Sequence, residues 1–71
     1  MKKKPHQILG QNICKMRVRA ALTQVQVADF SGISRAHLQR IEHGNVNPTF
    51  EIIVKIRGVL KCSWLDLVGN V

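Results

Sequence analysis

Residues 23–44 read TQVQVADFSGISRAHLQRIEHG, and two short helical patterns meet there at a glycine. Thr23 can cap a first helix that turns Val27 and Ala28 inward, and Gly32 breaks it. Ser34 caps a second helix, on which Leu38 and Ile41 sit three apart on one face. Ser34, Arg35, Ala36, Gln39, Arg40 and His43 then fall on the outer side. That outer face is long on hydrogen-bond donors and carries no acid before Glu42. A helix lying in a DNA major groove needs such a face.

Charge points the same way. The chain has 71 residues, with 11 Lys and Arg against 4 acids, a formal charge of +7. Such a balance favours a polyanionic partner, nucleic acid before membrane. No stretch is apolar for long enough to span a bilayer, and no apolar segment follows the basic start MKKKPHQ, so no signal peptide is expected. Cys14 and Cys62 show neither metal-ligand nor redox spacing and read as reduced thiols of a cytoplasmic protein. Apolar residues make up 45% and aromatics only 4%, so one small core is expected, to which a dimer partner would add burial.

Outward from the central stretch, residues 1–7 form a basic N-terminal arm whose MKKKP is either a solvated terminus or a phosphate contact. A first helix is expected over 6–21, with Leu9, Ile13, Met16 and Ala20 in one apolar stripe. Cys14 lies beside that stripe as a small buried hydrophobe, and Arg17 borders it, snorkelling to water or pairing with an acid of another helix. Glu42, in the last turn of its helix where the dipole disfavours an anion, is the acid the geometry suggests. In the second helix, over 23–31, Gln24 is a surface residue or meets a phosphate at the helix start. Phe30 is expected to pack partly against the body of the domain. Gly44 ends the helix over 34–43. After the NVNPT loop at 45–49, Thr49 or Asn47 caps a helix over 50–61. Its apolar face carries Phe50, Ile53, Ile56, Val59 and Leu60, and close packing is the expected reason for Gly58 inside it. Ser63 caps a last helix, WLDLV, and residues 69–71 are a tail. Trp64, Leu65 and Val68 there either fill the core or form a dimer interface.

The order Arg17, Thr23-Gln24, Val27-Ala28, Gly32-Ile33-Ser34, Leu38, Ile41-Glu42, Gly44, Asn47-Pro48, Leu60 and Ser63 resembles the Cro/CI-type (XRE-type) helix-turn-helix family over about residues 8–68. The resemblance implies an all-α fold, a compact five-helix lambda-repressor-like DNA-binding domain. It implies a buried ion pair between Arg17 and Glu42. Base contacts are implied from Ser34, Arg35, Ala36, Gln39 and Arg40. Phosphate contacts are implied from Gln24 and His43 and from the loop amides between Asn45 and Phe50, with Asn45 and Asn47 among them. Gln24 is further implied to brace a recognition side chain. Family members bind as two-fold dimers, often through their last helices. Ala21 stands where many members have glycine, Ala36 can offer only a thymine-methyl contact, and Gly58 is atypical of a helix interior.

Among functions, a transcription regulator binding a palindromic operator as a homodimer is expected first, whether repressor, restriction–modification controller or antitoxin. A protein-interaction module with secondary DNA binding is the alternative, and non-specific nucleoid binding follows from charge alone. The 3 histidines, 4 acids and 2 cysteines show no nucleophile–base pairing and no metal spacing. No enzyme activity, metal, cofactor or small-molecule ligand is therefore expected; the partners are double-stranded DNA and a second copy of the chain.

Overall fold

The computed structural model describes residues 3–71, and every described element is helical. The order is α1 (Pro5–Arg19), α2 (Gln24–Ser31), α3 (Arg35–Glu42), α4 (Phe50–Leu60) and α5 (Trp64–Val68). Among the described residues no helix is long and apolar enough to cross a membrane. The Met1 and Lys2 part of the basic arm lies outside the described residues.

Hydroxyl caps set the helix starts. The side chains of Thr23, Ser34, Thr49 and Ser63 accept hydrogen bonds from the amides of Gln26, His37, Ile52 and Asp66. Of the two residues expected to cap α4, Thr49 does so. α1 starts one residue earlier than the apolar stripe suggested, because Pro5 takes the first helical position and the Lys4 amide donates to Gln7 Oε1 at 2.8 Å. It also ends earlier, at Arg19, because Ala21 turns to φ 58°.

The core gathers Leu9 and Ile13 of α1, Val27 and Ala28 of α2, Leu38 and Ile41 of α3, Ile56 and Leu60 of α4, and Leu67 of α5. Each helix thus contributes one apolar stripe to a common centre, the arrangement available to a domain this small. Between α2 and α3 the chain reverses through Gly32 at φ 72°, and the Ile33 amide donates to the Ala28 carbonyl at 3.0 Å. This turn fixes the angle at which α3 leaves the body.

A close crossing seats α3 on α1. A Cβ built on Gly10 would stand 2.1 Å from the Ile41 carbonyl oxygen, so only glycine admits this approach. Phe30, expected to lean on the domain, is 71% exposed: it projects from the end of α2 beyond its neighbours. Gly58 is likewise not a packing glycine, since nothing lies within 4 Å of a Cβ added there.

Candidate nucleic-acid interface

The inner face of α3 is locked down. Leu38 and Ile41 are fully buried and Glu42 is 6% exposed. With that face inside, Arg35, Ala36, Arg40 and His43 stand exposed, and Gln39 is half-buried among them. Ser34 is exposed at the helix start, where its Oγ accepts from the His37 amide at 3.0 Å and its hydroxyl proton remains as a donor. The six residues expected on the outer side of this helix therefore share one surface.

Behind that surface lies a polar network. Arg17 donates through Nε to Glu42 Oε2 at 2.7 Å and through Nη2 to Oε1 at 3.2 Å, a bidentate pair. Arg17 Nη1 also donates to the Leu22 carbonyl at 3.0 Å, and Gln24 Nε2 donates to Glu42 Oε1 at 3.0 Å. The Glu42 hydrogen bond holds the guanidinium above its ordinary pKa against the opposing effect of burial. α1, α2 and α3 are thus tied at one carboxylate whose side chain is 2% exposed. Gln24 braces this carboxylate with one amide hydrogen, and its second is available to a partner.

In the loop after α3 the Gly44 amide donates to Ile41 and the Asn45 amide to Arg40, at 3.0 and 2.9 Å. The family resemblance implied loop amides facing phosphate from Asn45 onward. The Asn45 amide is instead occupied in capping α3, which leaves its exposed side chain as the group that can meet a ligand. Asn47 is exposed as well.

The helix-turn-helix family profile matches residues 15–67. The chain belongs to that family. It carries an XRE-type helix-turn-helix domain, with α2, the Gly32 turn and α3 as its central unit. Its relatives include the antitoxin PezA of Streptococcus pneumoniae, 37% identical over 89% of this chain and 40% of that protein. The immunity repressor protein of Bacillus phage phi105 is 34% identical over 87% of this chain and 43% of its own length. This helix-turn-helix chain therefore spans less than half the length of either relative. Among solved structures, the restriction-modification controller protein C.AhdI of Aeromonas hydrophila superposes with a TM-score of 0.82 at 26% identity, over 87% of this chain and 94% of that one.

Away from α3, the helix-turn-helix domain exposes a second surface. Trp64, Leu65 and Val68 are 38%, 77% and 42% exposed. Phe50, placed by the sequence pattern on the core face of α4, is instead 71% exposed and stacks on Trp64, with ring centroids 5.6 Å apart and 7° between planes. Arg57 covers the tryptophan with its guanidinium carbon 5.0 Å from the ring centroid. Periodicity could not reveal Phe50 here. It places the residue on the apolar side of α4, but not against Trp64, which lies fourteen positions on at the start of α5.

Proposed function

We propose that this regulator binds a two-fold symmetric operator as a homodimer in the cytoplasm and acts by occupying it, as a repressor or as a controller that both activates and represses. The observation that carries the reading is the outward face of α3, where Arg35, Ala36, Gln39 and Arg40 stand together while the opposite face anchors the helix in the core. Arg35 and Arg40 read guanine by bidentate bonds to O6 and N7, each worth roughly 1–3 kcal/mol of discrimination. Gln39 reads adenine or bridges to the backbone, Ala36 meets a thymine methyl, and Ser34 adds a hydroxyl contact. Gln24, His43, Asn45 and Asn47 hold phosphates and set the register.

The dimer closes through Trp64, Leu65 and Val68, joined by Phe50. Support comes from this exposed apolar patch and from the small size of the domain, since one such unit covers little DNA. Similarity to a phage immunity repressor and to a restriction–modification controller supports the repressor or controller reading. Similarity to an antitoxin supports the second reading, a module that binds a partner protein and uses DNA secondarily.

Substitution separates base reading from simple grip. Arg40→Ala is expected to relax preference at one base pair per half-site. A loss of affinity equal on all sequences would assign Arg40 to phosphate instead.

A further inference from the structure

Two polar hollows lie at opposite ends of α3. At its start, Arg35 borders one together with Thr23 and Gln24, the end at which the proposed function already puts a phosphate. At its finish, Glu42 and His43 border the other, a hollow of about 320 Å³ whose remaining wall is Lys3, Gln7 and Gln11 from the first part of the chain. From Arg35 to His43 a helix rises about 12 Å. The major groove is about 12 Å wide. A helix of that length lying in the groove brings its two ends toward the two opposite phosphate walls.

The second hollow is built from donors. Lys3 and His43 are exposed, and so is Gln11. Gln7 is fixed from two sides: its Oε1 accepts the Lys4 amide at 2.8 Å, and its Cγ lies 2.9 Å from where a Cβ on Gly44 would stand. With Oε1 engaged, the Gln7 Nε2 hydrogens are the group left to face the hollow. Glu42 also borders it, but its carboxylate is held by Arg17 and Gln24, and 2% of its side chain is exposed. One lysine, two amides and an imidazole around a concave polar surface match a phosphate diester, with its two charged-acceptor oxygens.

We propose that Lys3, Gln7 and Gln11 join His43 in holding one DNA backbone phosphate at the end of α3 opposite Gln24, a built anchor on α1 that fixes how far α3 tilts in the groove. This rests on the operator-binding reading above. Lys3 and Gln11 are the residues to remove, since both are exposed and neither caps a helix.

The test uses the full chain and a duplex carrying its selected site, scanned one phosphate at a time with neutral methylphosphonate. In the wild type, one position beyond the bases read by α3 is expected to lose affinity severalfold on neutralisation. In the Lys3→Met, Gln11→Leu double variant, which leaves Gln7 and His43 in place, the penalty at that same position is expected to shrink to less than half, and the slope of log affinity against log salt to fall by about 1. Lys55→Met, which removes one charge from exposed α4, controls for net charge and is expected to keep the methylphosphonate penalty. An equal penalty in wild type and double variant, or no sensitive phosphate beyond the bases read, would overturn the second anchor while leaving sequence-selective binding intact. Loss of sequence selectivity in the wild type itself would remove the underlying reading as well, and sequencing the duplexes that the wild type enriches from a random pool separates these results.

Discussion

At the scale of single residues, the Arg17–Glu42 pair ties α3 to the rest of the domain. Burying two charges is favourable only when both are paired and hydrogen-bonded, and here Glu42 has three donated bonds from Arg17 and Gln24. Removing the guanidinium leaves a buried carboxylate with one amide partner. Arg17→Met is therefore expected to destabilise the fold by about 3–5 kcal/mol, read as a lowered midpoint in urea. A shift below about 1 kcal/mol, the value of an exposed pair, would contradict this role. Two opposite exchanges are each expected to stabilise. Ala21 sits at φ 58°, a left-handed conformation that disfavours a Cβ by roughly 1–2 kcal/mol, so Ala21→Gly relieves strain, less its own backbone entropy. Gly58 lies in the exposed interior of α4 with no neighbour to displace, so Gly58→Ala is expected to add about 0.5–1 kcal/mol. Thermal melts of the two variants check both signs.

At the scale of elements, much was legible because the signals are local. The hydroxyl caps at Thr23, Ser34 and Ser63, the glycine between α2 and α3 and most of the apolar stripes that fill the core follow from spacings of three and four residues, while Thr49 was one of two candidates for the fourth cap. The Arg17–Glu42 pair was legible too, since an acid in the last turn of a helix asks for a cation. Three features were not. Gly10 carries no local signal, because its need arises where α1 crosses the carbonyls of Ile41 and Glu42, some thirty positions on. Phe30 and Phe50 sit where the helical period allows an inward face, yet each is 71% exposed, which the period alone does not decide. The hollow shared by Lys3, Gln7, Gln11 and His43 joins the two ends of α1 and α3, which no single period reveals. For α5 the cap makes a pH prediction. The Asp66 carboxylate accepts from the Ser63 amide at 3.0 Å, and the Ser63 hydrogen bonds hold its pKa below the ordinary value. A lowered folded pKa stabilises the fold above the ordinary carboxylate value, about 3.9, and the contribution disappears as pH falls through the folded value. The stability difference between wild type and Asp66→Ala is thus expected to be constant at neutral pH and to shrink below about pH 4. A difference independent of pH would show that the carboxylate does not act as the cap.

At the scale of the whole molecule, a domain with +7 charge and a donor-rich helix surface meets the electrostatic requirement for DNA, and Phe50, Trp64, Leu65 and Val68 form the exposed apolar patch on which we propose a second copy docks. Leu65, 77% exposed, contributes nothing to its own core, so Leu65→Glu is expected to leave the helical content unchanged while converting dimer to monomer in sedimentation. A wild type that sediments as a monomer at micromolar concentration would contradict the interface. The most direct measurement is selection of bound sequences from a random duplex pool at several salt concentrations, with the enriched pool sequenced. Sequence-specific dimeric regulation requires an inverted repeat to emerge, with half-sites about 34–36 Å apart and guanines facing Arg35 and Arg40. Binding that is uniform across the pool and disappears as salt rises would contradict it and leave a charge-driven DNA contact in its place.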